Sequence, residues 1–261
     1  MAKVIAVTNQ KGGVGKTSTT EGLGVCLKTK GYRVLCIDLD PQANLSFSVD
    51  AETEEFPTIY DVIKGTTKTL HAVQRTPSFD IIASNILLSG VELEFTQKDR
   101  EFILKKAIEP ALRRYDYILI DTPPALSILT VNAFTAADAI IIPMLADIFS
   151  LQGVAELHET IRRVKHRYNP ELKIQGILLN KYNSRSILTR EVMATAELVA
   201  EQLNTKIFSK KIRQGCVISE AQANQASFLE YAPSSNVVKD YMKFAEEVLK
   251  EDENSGEQEV V

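Results

Sequence analysis

The sequence predicts an α/β fold, a mostly parallel twisted sheet with helices on both faces. Short β-branched runs alternate with longer amphipathic stretches for most of the chain, which is the rhythm of strands joined by crossover helices. Several of these runs are apolar at nearly every position, as strands covered on both faces must be. A glycine-rich turn follows the first run directly and marks a strand-to-helix connection.

Taken in order, Lys3–Thr8 is short, apolar and β-branched and is expected as the first strand, and the helix Lys16–Lys30 opens straight out of the glycine turn. Further strands are expected at Arg33–Ile37, Phe79–Ala83, Tyr117–Ile120, Ala139–Pro143 and Ile174–Leu179, with a short one near Lys206–Phe208. Between them the amphipathic stretches place helices at Asp99–Arg114, Ile128–Ala136, Leu151–Arg167 and Ile187–Leu203, and a last one at Ser235–Lys250. Pro41 to Ser78 is the least regular segment, with one short helix at Ile59–Lys64. A single domain is expected over residues 1–250, followed at 251–261 by a polar, acidic tail with no apolar stripe, expected to be disordered.

The bulk composition narrows the function. With 261 residues, 44% hydrophobic and 25% charged, the chain has the balance of an ordinary globular protein with a sizeable core. No charged-then-apolar leader opens it, and every apolar run falls well short of the roughly 20 residues that span a bilayer. A cytoplasmic location is expected. Cys26, Cys36 and Cys216 form no CxxC pair and are odd in number, which fits reduced structural thiols. His71, His158 and His166 do not cluster with carboxylates. A net charge of -4 argues against blanket attraction to nucleic acid while leaving room for a local basic patch.

The chemistry is concentrated at the strand ends. Behind the first strand comes Asn9-Gln10-Lys11-Gly12-Gly13-Val14-Gly15-Lys16-Thr17. Glycines let backbone N–H groups curl around a polyphosphate, a helix N-terminus adds positive potential, and a lysine neutralises the outer phosphates. Gly12, Gly13, Val14, Gly15, Lys16, Thr17 and Ser18 are therefore expected to bind nucleotide, with the Thr17 hydroxyl on a magnesium ion. The ordinary P-loop has glycine six residues before this lysine; here Gln10 stands there, and a second lysine, Lys11, follows it. The second strand ends in Asp38-Leu39-Asp40-Pro41-Gln42, and neighbouring strand ends in a parallel sheet deliver side chains to one crevice. Tyr117–Ile120 ends in Asp121, a Walker B pattern in which the carboxylate holds the magnesium shell and contacts Thr17.

Lys11-Gly-Gly-Val-Gly-Lys-Thr17 is the deviant Walker A motif of the ParA and MinD family, and the resemblance runs from Lys3 to about Lys250. Asp38-Leu-Asp-Pro-Gln-Ala-Asn, Ile120-Asp-Thr-Pro-Pro, Ile142-Pro143, Asp147-Ile-Phe-Ser-Leu-Gln-Gly153 and Ile218-Ser-Glu-Ala221 resemble the small chromosomal and plasmid ParA (Soj-like) proteins. With the loop starting at residue 9, no leading helix-turn-helix domain is expected. The resemblance implies a P-loop ATPase that uses ATP and Mg2+ and forms a homodimer in the ATP state, with Lys11 of one subunit reaching the phosphates of the other. It further implies that Asp40 orients the attacking water, that Asp38 supports the magnesium shell and that Asn180 reads the adenine ring. Locally, Asn180 is equally a polar residue closing a strand. Asp147 is implied near the partner's nucleotide across the dimer.

Non-specific DNA, a ParB-type partner protein, nucleoid association and a role in plasmid or chromosome segregation also follow from the resemblance. Lys210, Lys211 and Arg213 form one basic cluster for DNA, and Lys181, Arg185 and Arg190 another; either pattern is also that of a solvated face. A Pro-Arg pair and a later arginine expected in the family are replaced by Arg213-Gln214 and Val217. Among rivals, a MinD-like membrane-bound spatial regulator should end in a basic amphipathic helix, and this end is acidic. Cys26 and Cys36 do not suit an iron–sulfur cluster shared between subunits, and a tyrosine-rich tail of the kinase type is absent. A metabolic P-loop synthetase stays open, because fold does not fix function.

Overall fold

The computed structural model describes residues 1–145, 149–183 and 187–258, with side chains at 149–155, 187–192, 195 and 254–258 outside the description. In chain order the first half contains β1 (Lys3–Val7), α1 (Lys16–Thr29), β2 (Val34–Asp38), α2 (Asn44–Ser48), α3 (Ile59–Lys64), β3 (Val73–Arg75), β4 (Asp80–Ile82), α4 (Val91–Glu94) and α5 (Ile103–Ile108). The second half contains β5 (Tyr117–Asp121), α6 (Ile128–Ala136), β6 (Ala139–Leu145), α7 (Phe149–Arg167), β7 (Lys173–Asn180), α8 (Ile187–Gln202), α9 (Val217–Ala223), α10 (Phe228–Tyr231) and α11 (Asn236–Gln258).

The seven strands form one sheet in the order β3-β4-β2-β5-β1-β6-β7. All pairings are parallel except that of β3 with β4. Because side chains alternate across a strand, the central strands feed two cores. Val4, Ala6, Ile118 and Ile120 join the layer built with α3 and α5 to α8. Ile5, Cys36 and Leu119 join the layer under α1, α9 and α11. Gly22 lets α11 lie close on α1, since a Cβ there would come within 2.5 Å of the Tyr241 ring.

Several boundaries depart from the sequence expectation. β3 falls in the unassigned 41–78 stretch as a three-residue edge strand, half-buried and lacking the continuous apolar run of the central strands. The expected helix Asp99–Arg114 breaks into a 3-10 turn at Arg100–Phe102, α5, and tight turns after it. Pro110 has no N–H to donate back to the preceding turn, so the α-helix stops at Ile108. Lys206–Phe208 contributes only an isolated parallel bridge from Ile207 to Ile177.

The acidic end does not leave the fold at Lys250: α11 continues to Gln258. Asp252 accepts hydrogen bonds from the Tyr117 hydroxyl at 3.0 Å and Gln175 Nε2 at 3.3 Å, and Lys206 pairs with Glu251. The expectation of a disordered tail from residue 251 is corrected accordingly; sequence composition does not reveal these tertiary partners.

Candidate functional site

Three adjacent strands, β2, β5 and β1, end side by side. Asp121 is the register partner of both Asp38 and Val7, so two carboxylates and the start of the glycine loop meet at one edge of the sheet. The loop is braced from both flanks. Asn9 donates its amide to the Pro143 carbonyl at the end of β6 at 2.7 Å and accepts from the Lys11 N–H at 3.0 Å. Asn180, at the end of β7, donates to the Val14 carbonyl at 2.9 Å and to the Thr19 hydroxyl at 3.1 Å. Gly15 caps α1 in the left-handed region, with φ of 89°, and a Cβ there would sit 2.7 Å from the Asn180 amide nitrogen. Only glycine meets both demands. The first turn of α1, which carries no acidic residue, faces a cavity of about 450 Å³ lined by the loop, Asp40, α2 and α9.

The charges in the site are held largely out of water. Lys16 is 8% exposed, and its Nζ donates to the Lys11 carbonyl at 3.2 Å. Burial lowers its pKa, while Asp121 and Asp40 work to keep it charged. Asp121, 1% exposed, accepts from Thr17 Oγ1 at 2.7 Å and from Thr20 Oγ1 at 3.3 Å. Burial, helped by the charge of Asp38, pushes its pKa well above the carboxylate range. Asp38 is fully buried and accepts from the Ser46 N–H at 2.8 Å, the Ser46 hydroxyl at 2.7 Å and the Asp40 N–H at 3.1 Å; burial raises its pKa to about 6. Asp38 thus braces the turn that presents Asp40, whose carboxylate accepts the Gln42 N–H at 3.0 Å and whose carbonyl accepts the Ser84 hydroxyl at 2.6 Å.

These residues fit a magnesium–nucleotide pair. Among the described residues no group of three or more His, Cys, Asp or Glu side chains could hold a metal by itself. Magnesium bound with phosphates needs only one or two protein ligands and keeps much of its water shell. Carboxylates pushed toward neutrality by burial, with a threonine hydroxyl 2.7 Å from one of them, are what a hydrated cation would relieve.

Lys11, Gly12 to Ser18, Asp38, Asp40 and Asp121 lie together at this end of the sheet. Asn180 differs: it is 4% exposed, its amide nitrogen braces the loop, and its carboxamide oxygen is buried without a partner. In this arrangement the amide nitrogen holds the loop to the end of β7, and the adenine contact implied for Asn180 has only the carboxamide oxygen left to make it. Asp147 and Arg185 lie outside the described residues, and Arg190 is on α8 with its side chain outside them.

The basic cluster at 210–213 is largely committed elsewhere. Lys210 and Arg213 close on Asp240 of α11 at 2.9 and 2.6 Å, and the Lys211 ammonium sits 5.1 Å from the centre of the Tyr182 ring. Asp240 is 2% exposed, so the first two cations compensate a buried charge. Sequence reading missed α9 as a wall of the cavity, and with it Gln222, which donates to Glu21 of α1 at 2.7 Å. The available signal was Glu21 itself, a lone carboxylate in the otherwise uncharged run Thr17–Leu27.

A family model described as AAA domain matches residues 2–174. Over 252 residues the chain is 36% identical to the sporulation initiation inhibitor protein Soj of Bacillus subtilis (strain 168), spanning 95% of this chain and 98% of that one. It is 40% identical over 254 residues to the chromosome partitioning protein ParA of Caulobacter vibrioides (strain NA1000 / CB15N), spanning 95% and 94%. Among solved structures, cobyrinic acid a,c-diamide synthase from Mycobacterium smegmatis with bound ADP and magnesium matches with a TM-score of 0.84 at 32% identity, over 96% and 95% of the two chains. The cell division ATPase MinD of Pyrococcus furiosus matches with a TM-score of 0.79 at 24% identity over 96% and 99%, a likeness of fold.

Proposed function

The chain belongs to the ParA/Soj family of deviant-Walker P-loop ATPases, and on that premise we propose that it is a DNA-partitioning switch that binds and hydrolyses ATP. The observation that carries the reading is the pair of lysines in one loop. Lys16 is buried beside Asp121 and Asp40, where it serves its own subunit's phosphates, whereas Lys11, five residues earlier in the same loop, is half-buried. A lysine delivered in trans stabilises phosphate charge only in the dimer, so ATP favours association and hydrolysis favours release.

Within one subunit, the loop N–H groups and Lys16 bind and orient the phosphates, and Asp40 orients the attacking water. Thr17 would hold magnesium, with Asp121 and Asp38 supporting its water shell. Magnesium, when bound, neutralises charge on the outer phosphate oxygens. Asp147 is assigned to the dimer contact. The ATP dimer binds DNA without sequence preference, and a ParB-type partner stimulates hydrolysis, which places the protein in the nucleoid-associated part of the cytoplasm. Because Lys210 and Arg213 are engaged with Asp240, the DNA contacts are assigned to Lys211, Arg185 and Arg190.

A DNA-retention assay with ADP, ATP and a non-hydrolysed ATP analogue tests this reading. Retention with ATP or the analogue, absent with ADP and weakening steeply with salt, is expected; equal retention in all three states rejects it. The 32% identity to a diamide synthase favours one other reading, a small-molecule synthetase. That reading requires ATP turnover dependent on a small carboxylate or amine and indifferent to DNA.

A further inference from the structure

Behind the part of the cavity wall formed by Ser18 and Gln222 lies a buried carboxyl that the phosphate chemistry does not use. Glu21 lies on α1, one turn beyond Thr17, and is 0% exposed. Its Oε2 accepts from Gln222 Nε2 at 2.7 Å, while its Oε1 has no hydrogen-bond partner. The same Gln222 nitrogen donates to the Ser18 hydroxyl at 3.4 Å. Both amide hydrogens are thereby directed at the P-loop helix. An ionised carboxylate has only acceptors to offer, and a carboxylic acid protonated on the unpartnered Oε1 still leaves Oε2 an acceptor. In either state Glu21 fixes which way the amide faces: nitrogen toward α1, oxygen away from it.

Gln222, Ser18 and Ser219 line the same cavity as Lys16 and Thr17. Gln222 lines that cavity, and with its nitrogen given to α1 the group its amide has left for a ligand is the carbonyl oxygen, an acceptor. A phosphate carries no donor to meet it and would be repelled. The donors next along a nucleotide from its phosphates are the sugar hydroxyls. The turn that follows α9 is in turn tied to α2, with Gln225 Nε2 donating to the Phe47 carbonyl at 3.2 Å, so the acceptor is carried on a supported wall.

We propose that Gln222, oriented by Glu21, is a specificity-determining residue of the nucleotide site, its carboxamide oxygen accepting a hydrogen bond from a ribose hydroxyl. Glu21 is then a positioning residue acting through Gln222. The inference rests on the reading that ATP occupies this cavity.

The test is equilibrium binding of a non-hydrolysed ATP analogue and its 2′-deoxy and 3′-deoxy forms to the full chain and its variants, with thermal unfolding measured in parallel. One net hydrogen bond corresponds to a preference of roughly 3- to 10-fold for the ribonucleotide over at least one deoxy form. Gln222→Met is expected to abolish that preference while leaving affinity for the disfavoured deoxy form within about 2-fold. Glu21→Met is expected to reduce it without lowering the melting temperature. Glu21→Gln, which keeps an acceptor for the Gln222 amide, is expected to retain it. A Gln222→Met chain that still prefers the ribonucleotide overturns the proposal. So does wild-type protein that binds the ATP analogue and its deoxy forms equally. Wild-type protein that binds no adenine nucleotide overturns the function itself, a distinguishable result.

Discussion

Replacing Glu21 by Gln removes a carboxyl that folding forces out of water, and the gain should depend on pH in a defined way. Burial, opposed in part by the Gln222 amide and then by the Ser48 hydroxyl, raises the Glu21 pKa from 4.5 to about 7. The folded chain therefore binds this proton more tightly than the unfolded chain. Below the unfolded pKa both states are protonated and burial of the charge costs nothing. As pH rises through the folded pKa the cost grows to its full value, on the order of 3 kcal/mol at about 1.36 kcal/mol per tenfold change in proton affinity. Denaturant titration at two pH values measures the difference. Glu21→Gln should exceed wild type by about 3 kcal/mol at pH 8.5 and by about 1 kcal/mol or less at pH 5. For a chain of this size that is a rise of roughly 6 °C at the alkaline pH. An equal gain at both pH values, or a loss at pH 8.5, refutes the assignment of a desolvated carboxyl at this position.

Lys16→Ala should abolish productive nucleotide binding, whereas Asp40→Ala should keep it and accumulate a slowly hydrolysing ATP dimer; equal loss of binding in the two variants contradicts their separate roles. Arg213→Ala should lower stability by about 1–3 kcal/mol, because it leaves the buried Asp240 short of a partner. The salt dependence of DNA retention should be nearly unchanged in that variant, and a marked drop would return Arg213 to the DNA surface. Gly15→Ala should weaken nucleotide binding at least tenfold, since the new Cβ meets both a φ of 89° and the Asn180 amide; calorimetry showing wild-type affinity would reject the bracing role given to Asn180.

What could be read from the sequence follows from how local each feature is. β1, β2 and β5 are buried on both faces, so their apolar runs announce them, and their terminal aspartates fall at the sheet edge by topology alone. β3 has only half-buried or exposed residues and depends on β4 for its hydrogen bonds, so no pattern marks it. The glycine loop was legible because its demands on backbone and charge are met within nine residues, Asn9–Thr17. Asn180 was located correctly at the strand end, but its amide is directed by Val14 and Thr19, far away in the chain. The cluster at 210–213 read as a free basic surface because Asp240, which neutralises it, arrives 27 residues after Arg213. Glu21 and Gln222 are 201 residues apart, and only the packing of α9 over α1 brings them together.

Nucleotide-gated dimerisation through Lys11 is tested most directly by the mass of the protein in solution with ADP and with a non-hydrolysed ATP analogue, for wild type and Lys11→Ala. The expected result is a doubling of mass for wild type with the analogue alone, and a Lys11→Ala chain that binds the analogue but stays at monomer mass. A Lys11→Ala chain that doubles its mass as wild type does, or a wild-type mass indifferent to nucleotide, would contradict it.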